Sequence, residues 1–458
     1  MISLQKTLNK LYFQTPFQKK VLNRYKELMS THENTYDQNE SIQLERLNHL
    51  LNHAFKFVPF YKKHWKDLKY TENNSIELNS INQLYDFPIL TKELIRKNSS
   101  DLVAININPK KIFYETSGGS TGVPLSLVQD EEYLINNLAN FYLSRSWKGI
   151  DFYDKTIYLW GAERDIFKGE KPYIEYLKDY ILNTNRLNTF VLNPKTILKY
   201  IDIMNKSNAK LIIAYVQSIH EIARYAKKNN IYIKKQNAIH CAAGTLYDFM
   251  KKEIEEVFQC KAYNHYGSRE VGAIASECSA SDGLHILMHH NIVQPTEFNH
   301  NEKETNIIVT NLNNYSMPLI RFDIEDLGVF AKEKNKCKCG VTYPKIKKVV
   351  GRTIDFFQNE KGDKIDGEYF THLLYFIPEV KRFQVIQEDF MKIIIKIQGV
   401  EGSIPHEKTL DIIQKVRLVM GDDCIVSFSF VDKIEKTKTG KFLYTYSKLN
   451  SYKKKDVE

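Results

Sequence analysis

Between Tyr114 and Pro124 the chain reads Tyr-Glu-Thr-Ser-Gly-Gly-Ser-Thr-Gly-Val-Pro. The hydroxyls of Thr116, Ser117, Ser120 and Thr121 sit among Gly118, Gly119 and Gly122. Glycines this dense cost too much backbone entropy for a helix or strand interior. Their N–H groups and the neighbouring hydroxyls can instead converge on an anion. A plain flexible surface loop has the same composition. A Walker-type phosphate loop is disfavoured, because no Gly-Lys-Ser/Thr closes the run and no helical pattern follows directly.

A second group with chemical capacity is Cys337-Lys-Cys339-Gly340, with Cys278 and His285 upstream. Three thiols and an imidazole suit a tetrahedral zinc ion, and a closed set of this kind is structural, not catalytic. The spacing is not that of a common finger. His289 and His290 are alternative nitrogen ligands, and ordinary buried thiols are the competing reading. Cys241, Cys260 and Cys424 fall in apolar surroundings and read as core fillers. Six cysteines in 458 residues do not make a disulfide framework.

Apolar periodicity supplies the elements that must position these groups. Leu102–Tyr114 and Pro124–Val128 flank the glycine run as strands, which makes it a hairpin tip. Residues 1–70 read as helices, broken at Val58-Pro59; Thr91 caps a short helix over Lys92–Lys97. Asp130–Trp147 reads as a helix. Thr156–Trp160, Leu211–Val216, Ala238–Ala243 and Lys261–Tyr266 read as strands, with helices over Ser218–Lys228 and Leu246–Phe258. Such alternation predicts an α/β sheet with ligands beyond the strand ends, where Gly161, Gly244 and Gly267 are expected. Short strands then follow at Asn306–Asn311, Leu319–Arg321 and Val329–Ala331. A compact β-α-β piece closes the chain: Val380–Gln387, Met391–Ile397, a helix over His406–Met420, and Cys424–Phe430.

A chain of this length predicts two or three domains. The boundary is placed at 351, giving a large unit over 1–350, with a helical lead-in over 1–100, and a small unit over 351–458. The composition, 43% hydrophobic and 26% charged, is that of a soluble globular protein. No apolar run approaches a membrane span and the N-terminus lacks a secretory h-region, so a cytoplasmic location is expected. The net charge of +10 is spread along the chain. It is denser at Lys448 and Lys453–Lys455, where a frayed tail competes with an anion-binding patch.

Five separated pieces resemble, in order, the motifs of adenylate-forming enzymes. They are Thr116–Pro124, Tyr266-Gly-Ser-Arg-Glu270, Arg321-Phe-Asp-Ile-Glu-Asp326, Gly351-Arg352 and Thr439-Gly-Lys441. Val58-Pro-Phe-Tyr61, Phe87-Pro-Ile-Leu-Thr-Lys92 and Met317-Pro-Leu-Ile-Arg321 look like the phenylacetate-CoA ligase branch, and within it the CapK-type proteins of capsular polysaccharide loci. The resemblance implies an α/β fold: a large N-terminal domain with αβ-layered sheets and a smaller, mobile C-terminal α+β domain. It implies ATP-dependent activation of a carboxylic acid as its acyl-adenylate, with pyrophosphate released. The acyl group would then pass to coenzyme A, or to a sugar or amine.

In that reading Thr116–Gly122 cradles the β- and γ-phosphates and Glu270 holds Mg²⁺. Tyr266 stacks on adenine, and Asn264 or the Gly244 backbone reads its exocyclic amine. Gly267 lets the ligand approach and Asp326 accepts from the ribose. Arg352 contacts nucleotide at the hinge, where Ile354 before Asp355 departs from the branch's paired aspartates. Lys441 is the mobile catalytic cation, with Lys438 its rival. Thr245 stands where relatives often carry a glutamate. The Cys278, His285, Cys337 and Cys339 set resembles the zinc arrangement of several branch members. Trp160, Tyr215 and Ala242–Gly244 would line the acid pocket or simply pack. A nucleotidyltransferase that leaves AMP on its product competes, as does an ATP-binding scaffold or a basic nucleic-acid-binding protein. Otherwise no nucleic-acid partner and at most peripheral membrane contact are expected, and a homodimer is allowed.

Overall fold

The computed structural model describes residues 2–72, 75–116, 125–160, 173–189, 192–297, 303–331, 336–352, 356–375, 377, 379–380, 382–434 and 444–449. An eleven-stranded sheet organises them. Its first half is parallel, in the order Thr184–Leu187, Thr156–Leu159, Leu211–Tyr215, Ala238–Ala242 and Lys261–Ser268. Leu211–Tyr215 and Ala238–Ala242 are almost wholly apolar and buried, as parallel strands covered on both faces require. The helices Pro194–Lys206, Val216–Lys228 and Asp248–Phe258 pack their apolar stripes into the same core as these strands.

At Lys261–Ser268 the sheet changes character. It continues antiparallel through Gly272–Glu277, Leu284–Ile286, Lys345–Arg352, Phe322–Phe330, Thr305–Asn311 and Asn291–Pro295. Gly267 lies inside the Lys261–Ser268 strand and not at its end. A Cβ there would meet the Gly272 carbonyl oxygen at 2.7 Å, so the tight approach of the returning strand requires glycine. The strand expected at Leu319–Arg321 does not form, and pairing begins only at Phe322. Arg321 adopts φ +49, which takes it out of the extended region. Its Nη1 donates to the carbonyls of Tyr85 and Phe87 at 2.6 and 2.5 Å, and Leu90 N–H donates back to the Arg321 carbonyl at 2.9 Å.

The hairpin expected around the glycine run forms from Ile112–Thr116 and Ser126–Asp130, paired antiparallel with Thr116 opposite Ser126. Residues 117–124 lie outside the described residues, as do Gly161 and the hinge residues 353–355. Asp130 ends the hairpin in two roles. One carboxylate oxygen caps the Glu131–Ser146 helix by accepting from Tyr133 N–H at 2.8 Å. The other accepts from Tyr315 N–H and from the N–H and hydroxyl of Ser316.

The N-terminal helices Ile2–Tyr12, Pro16–Ser30 and Tyr36–Phe57 agree with the helical reading of residues 1–70. Pro59 starts a new helix over Pro59–His64 at its first turn, where a missing N–H costs nothing. Leu47, Leu50, Leu51 and Ala54 of Tyr36–Phe57 enter the core of the antiparallel half. A separate four-stranded sheet, ordered Ile425–Val431, Lys392–Gln398, Phe383–Asp389 and Thr445–Ser447, carries the His406–Met420 helix. It shares a core with the helices of the parallel half. Among the described residues no helix is long and apolar enough to cross a membrane.

Candidate active site

A cleft with about 260 Å³ of free volume opens where the parallel strands end. It is lined by Gly244, Thr245, Asn264, Tyr266, Gly267, Glu270, Asp326 and Gly351, together with Lys92 and His265. Residues expected to act together from four separate stretches of sequence are therefore neighbours. Ala238–Ala242 delivers Gly244 one residue past a turn with Ala243 at φ +53. The Asn264 N–H donates to Glu277 Oε2 at 2.7 Å, and Lys251 Nζ lies 3.0 Å from both oxygens of that carboxylate.

The Tyr266 hydroxyl donates to Asp326 Oδ2 at 2.6 Å. This bond fixes the phenol against the carboxylate, so the two present one surface to the cleft. Asp326 stands opposite Arg352 in the backbone register, which puts the end of the Lys345–Arg352 strand beside it. Glu270 is buried, on the turn that follows Ser268. The root of the glycine hairpin is tied to this turn twice. Arg269 Nη1 donates to the Thr116 carbonyl at 3.2 Å, and Gln129 Nε2 donates to the Arg269 carbonyl at 2.9 Å. Thr116 is thus held beside the turn that carries Glu270. Ser117, Gly118, Gly119, Ser120, Thr121 and Gly122 lie outside the described residues, and so do Lys438, Thr439 and Lys441.

Lys92 is a site residue that sequence reasoning passed over. It is buried and pairs with Glu325 at 3.0 Å. Glu325 itself holds φ +67, with its N–H on Asp323 Oδ1 at 2.8 Å. A signal was present: a lysine in the first turn of a helix opposes the dipole and needs another reason to be there. Trp160 and Tyr215 pack with ring centroids 4.1 Å apart and planes tilted by 50°, at the ends of neighbouring parallel strands.

The cysteine–histidine set also converges. The ligand atoms of Cys278, His285, Cys337 and Cys339 all lie within 4.8 Å of one another. Cys278 Sγ and Cys337 Sγ are 3.8 Å apart, and Cys339 Sγ lies 3.4 Å from His285 Nε2. A tetrahedral ion with ordinary zinc bond lengths puts sulfurs about 3.8 Å apart and sulfur about 3.6 Å from nitrogen. His285 Nδ1 is 3.0 Å from the Tyr343 carbonyl; donation there leaves the Nε2 lone pair facing the thiols. Gly340 at φ +90 turns the Cys337–Gly340 knuckle, closed by Gly340 N–H on the Cys337 carbonyl. His289 and His290 are engaged elsewhere, with Asn39 and with Asn311 and Asn313, and are not part of the set. Cys241 and Cys424 are fully buried away from it and Cys260 is half-buried.

The sheet, the cleft at its strand ends and the trailing four-stranded unit define the fold of the adenylate-forming ligases. A crystal structure of 2-hydroxyisobutyryl-CoA ligase in the postadenylation state, in complex with R3-HIB-AMP, matches with a TM-score of 0.61 at 15% identity, covering 91% of both chains. The same ligase with 2-HIB-AMP and CoA in the thioesterification state matches at 0.58 and 16% identity, again over 91% of each. More particularly, the chain is similar to Protein CapK of Staphylococcus aureus. The two are 26% identical over 407 residues, 87% of each chain, and residues 357–448 match the CapK C-terminal domain.

Proposed function

We propose that the protein joins a carboxylic acid to the α-phosphate of ATP and releases pyrophosphate. A carboxylate oxygen bonds to the α-phosphorus as the bond to the β-phosphate bridging oxygen breaks. The acyl group then passes to a thiol such as coenzyme A, or to a sugar or amine in surface-polysaccharide synthesis, as the resemblance to CapK-type proteins implies. The observation that carries this reading is the convergence of the Tyr266–Asp326 pair and Glu270 in one cleft, beside the root of the glycine–hydroxyl loop.

Two anions must meet, so catalysis rests on positioning and charge neutralisation. Tyr266 would stack on adenine, with the Asn264 or Gly244 backbone at its edge, and Asp326 would accept from the ribose. Thr116–Gly122 would enclose the outer phosphates, and Glu270 would hold the Mg²⁺ that accompanies them. Lys441 would bring its charge to the α-phosphate from the small unit, which begins near 351 and swings about Arg352 between the half-reactions. Cys278, His285, Cys337 and Cys339 would hold a structural zinc that clamps the 337–340 knuckle to the sheet.

The test is a pyrophosphate-release screen over carboxylic acids, with product mass spectrometry. Lys441→Ala should abolish release while nucleotide binding persists. Undiminished release by that variant would remove the role given to Lys441, and a product retaining AMP would turn the assignment to nucleotidyl transfer.

A further inference from the structure

Behind the cleft wall lies a cluster of buried basic side chains with too few partners. His265 lines the cleft. It shares a strand face with Tyr263, two residues earlier. Tyr263 stands in register with His240 on the neighbouring strand. The two imidazoles lie 4.4 Å apart between centroids, and both pack on Phe141 of the Glu131–Ser146 helix. His240 is fully buried and, among the described residues, neither ring nitrogen has a hydrogen-bond partner; Nδ1 of His265 and Nε of the buried Arg145 are also unpartnered there. Lys148 is buried beside them over the Tyr263 ring, bonded only to the Ser144 carbonyl and the Ser276 hydroxyl. The nearby acid, Glu277, is already engaged by Lys251 and the Asn264 N–H.

Buried polar groups without partners are costly, and natural structures carry few of them. Four orphan nitrogens on three adjacent side chains, with the buried Lys148 beside them, make a cluster short of hydrogen-bond partners. Burial holds both imidazoles neutral, His265 down to about 3, so each keeps an N–H to donate.

We infer that His265 on the cleft wall, with His240 packed behind it, is the distal end of the acid-binding site, and that the acid carries a second, acceptor-rich group bound there. A second carboxylate or a cluster of hydroxyls fits; a purely alkyl or aryl acid does not, because it would seal the orphan nitrogens in permanently. The inference rests on the adenylation reading above, and it narrows the substrate class.

The test compares matched acids, glutarate with pentanoate and lactate with propionate, in pyrophosphate release by the full chain. The wild type should favour the polar member of at least one pair by about tenfold or more, the worth of one buried hydrogen bond to a charged group. His240→Leu and His265→Leu should bring that ratio to about 1. They should not lower Tm, since they delete nitrogens that have no partner in the unliganded protein; His240→Gln should keep part of the preference. Preference for the apolar members, or a ratio unmoved in the leucine variants, overturns the inference while leaving adenylation standing. Release with none of the acids counts against the adenylation reading instead. The histidine site is then decided by histidine imidazole NMR with glutarate alone, where shifts of the His240 and His265 signals support it and unmoved signals overturn it.

Discussion

Tyr266 and Asp326 are joined by a 2.6 Å hydrogen bond although three strands separate the strands that carry them. On a flat sheet those strands would stand about 19 Å apart, four spacings of about 4.8 Å. A tyrosine and an aspartate side chain, even with the hydrogen bond between them, fall short of that. The antiparallel half therefore curls until its fifth strand faces its first, and the candidate nucleotide surface is made by the curl. Asp326→Ala should raise the KM for ATP by about tenfold or more, while Tyr266→Phe, which keeps the ring, should cost less than about tenfold. Pyrophosphate release at varied ATP measures both. An unchanged KM in Asp326→Ala would separate the bond from nucleotide binding.

Glu270→Gln keeps the size of the side chain and removes its charge. The expected result is a fall in kcat of about a hundredfold, with a Mg²⁺ optimum moved to higher concentration. A magnesium titration of the variant against the wild type reads both quantities.

Elemental analysis should find about one zinc per chain, and Cys339→Ser should lose most of it. Because a bound zinc would clamp residues 337–340 to the Leu284–Ile286 strand and to Cys278 just past the Gly272–Glu277 strand, metal loss should lower Tm more than it lowers kcat per folded molecule. Zinc-free protein with an unchanged Tm would count against the structural role.

Lys148 supplies a pH signature. Burial lowers its folded-state value from 10.5 to about 7, opposed by the Glu277 and Cys278 charges and reinforced by Arg145. Between pH about 7 and 10.5 the unfolded chain binds more protons than the folded one, so stability rises with pH across that window. Below it the burial penalty is present in full, on the order of a few kcal/mol. Lys148→Met should raise Tm near pH 6.5 and flatten the alkaline rise. Thermal melts from pH 6 to 10 test this.

The four-stranded unit is docked by charge as well as by apolar packing. Arg224 pairs with Asp411 at 3.2 Å, and Lys415 bridges Glu221 at 2.7 Å and Asp411 at 2.8 Å. Each pair alone contributes little, but Asp411 serves two cations. Asp411→Lys should undock the unit, seen as faster limited proteolysis near residues 353–355 and a larger radius in solution scattering. Identical cleavage kinetics would mean that apolar contacts alone hold it.

Much of this was legible in the residues because local rules and tertiary demands agree. Asp130–Trp147 reads as a helix and Glu131–Ser146 is one, with Asp130 its cap; the runs at Leu211 and Ala238 are apolar enough to be nothing but buried strands. The Thr184–Leu187 strand was not legible: it is short and half-exposed, on the sheet edge. Lys345–Arg352 was missed because four basic residues hide its alternation. The site divides in the same way. Motif order gathered Glu270, Tyr266 and Asp326, whereas Lys92 and the His240–His265 pair are meaningful only once distant strands are neighbours. Leu319–Arg321 failed as a strand because the arginine spends its backbone and side chain binding another segment.

That last contact has a consequence for dissecting the protein. Leu90 bridges Phe322, Arg321 grips Tyr85 and Phe87, Tyr61 donates to the Pro318 carbonyl, and Lys92 reaches Glu325 inside the cleft. The helical lead-in is therefore fastened to the cleft and contributes Lys92 to its lining. Trimming the chain to begin at residue 100 would strip those contacts away, and circular permutation that preserves them is the gentler route to a rearranged chain.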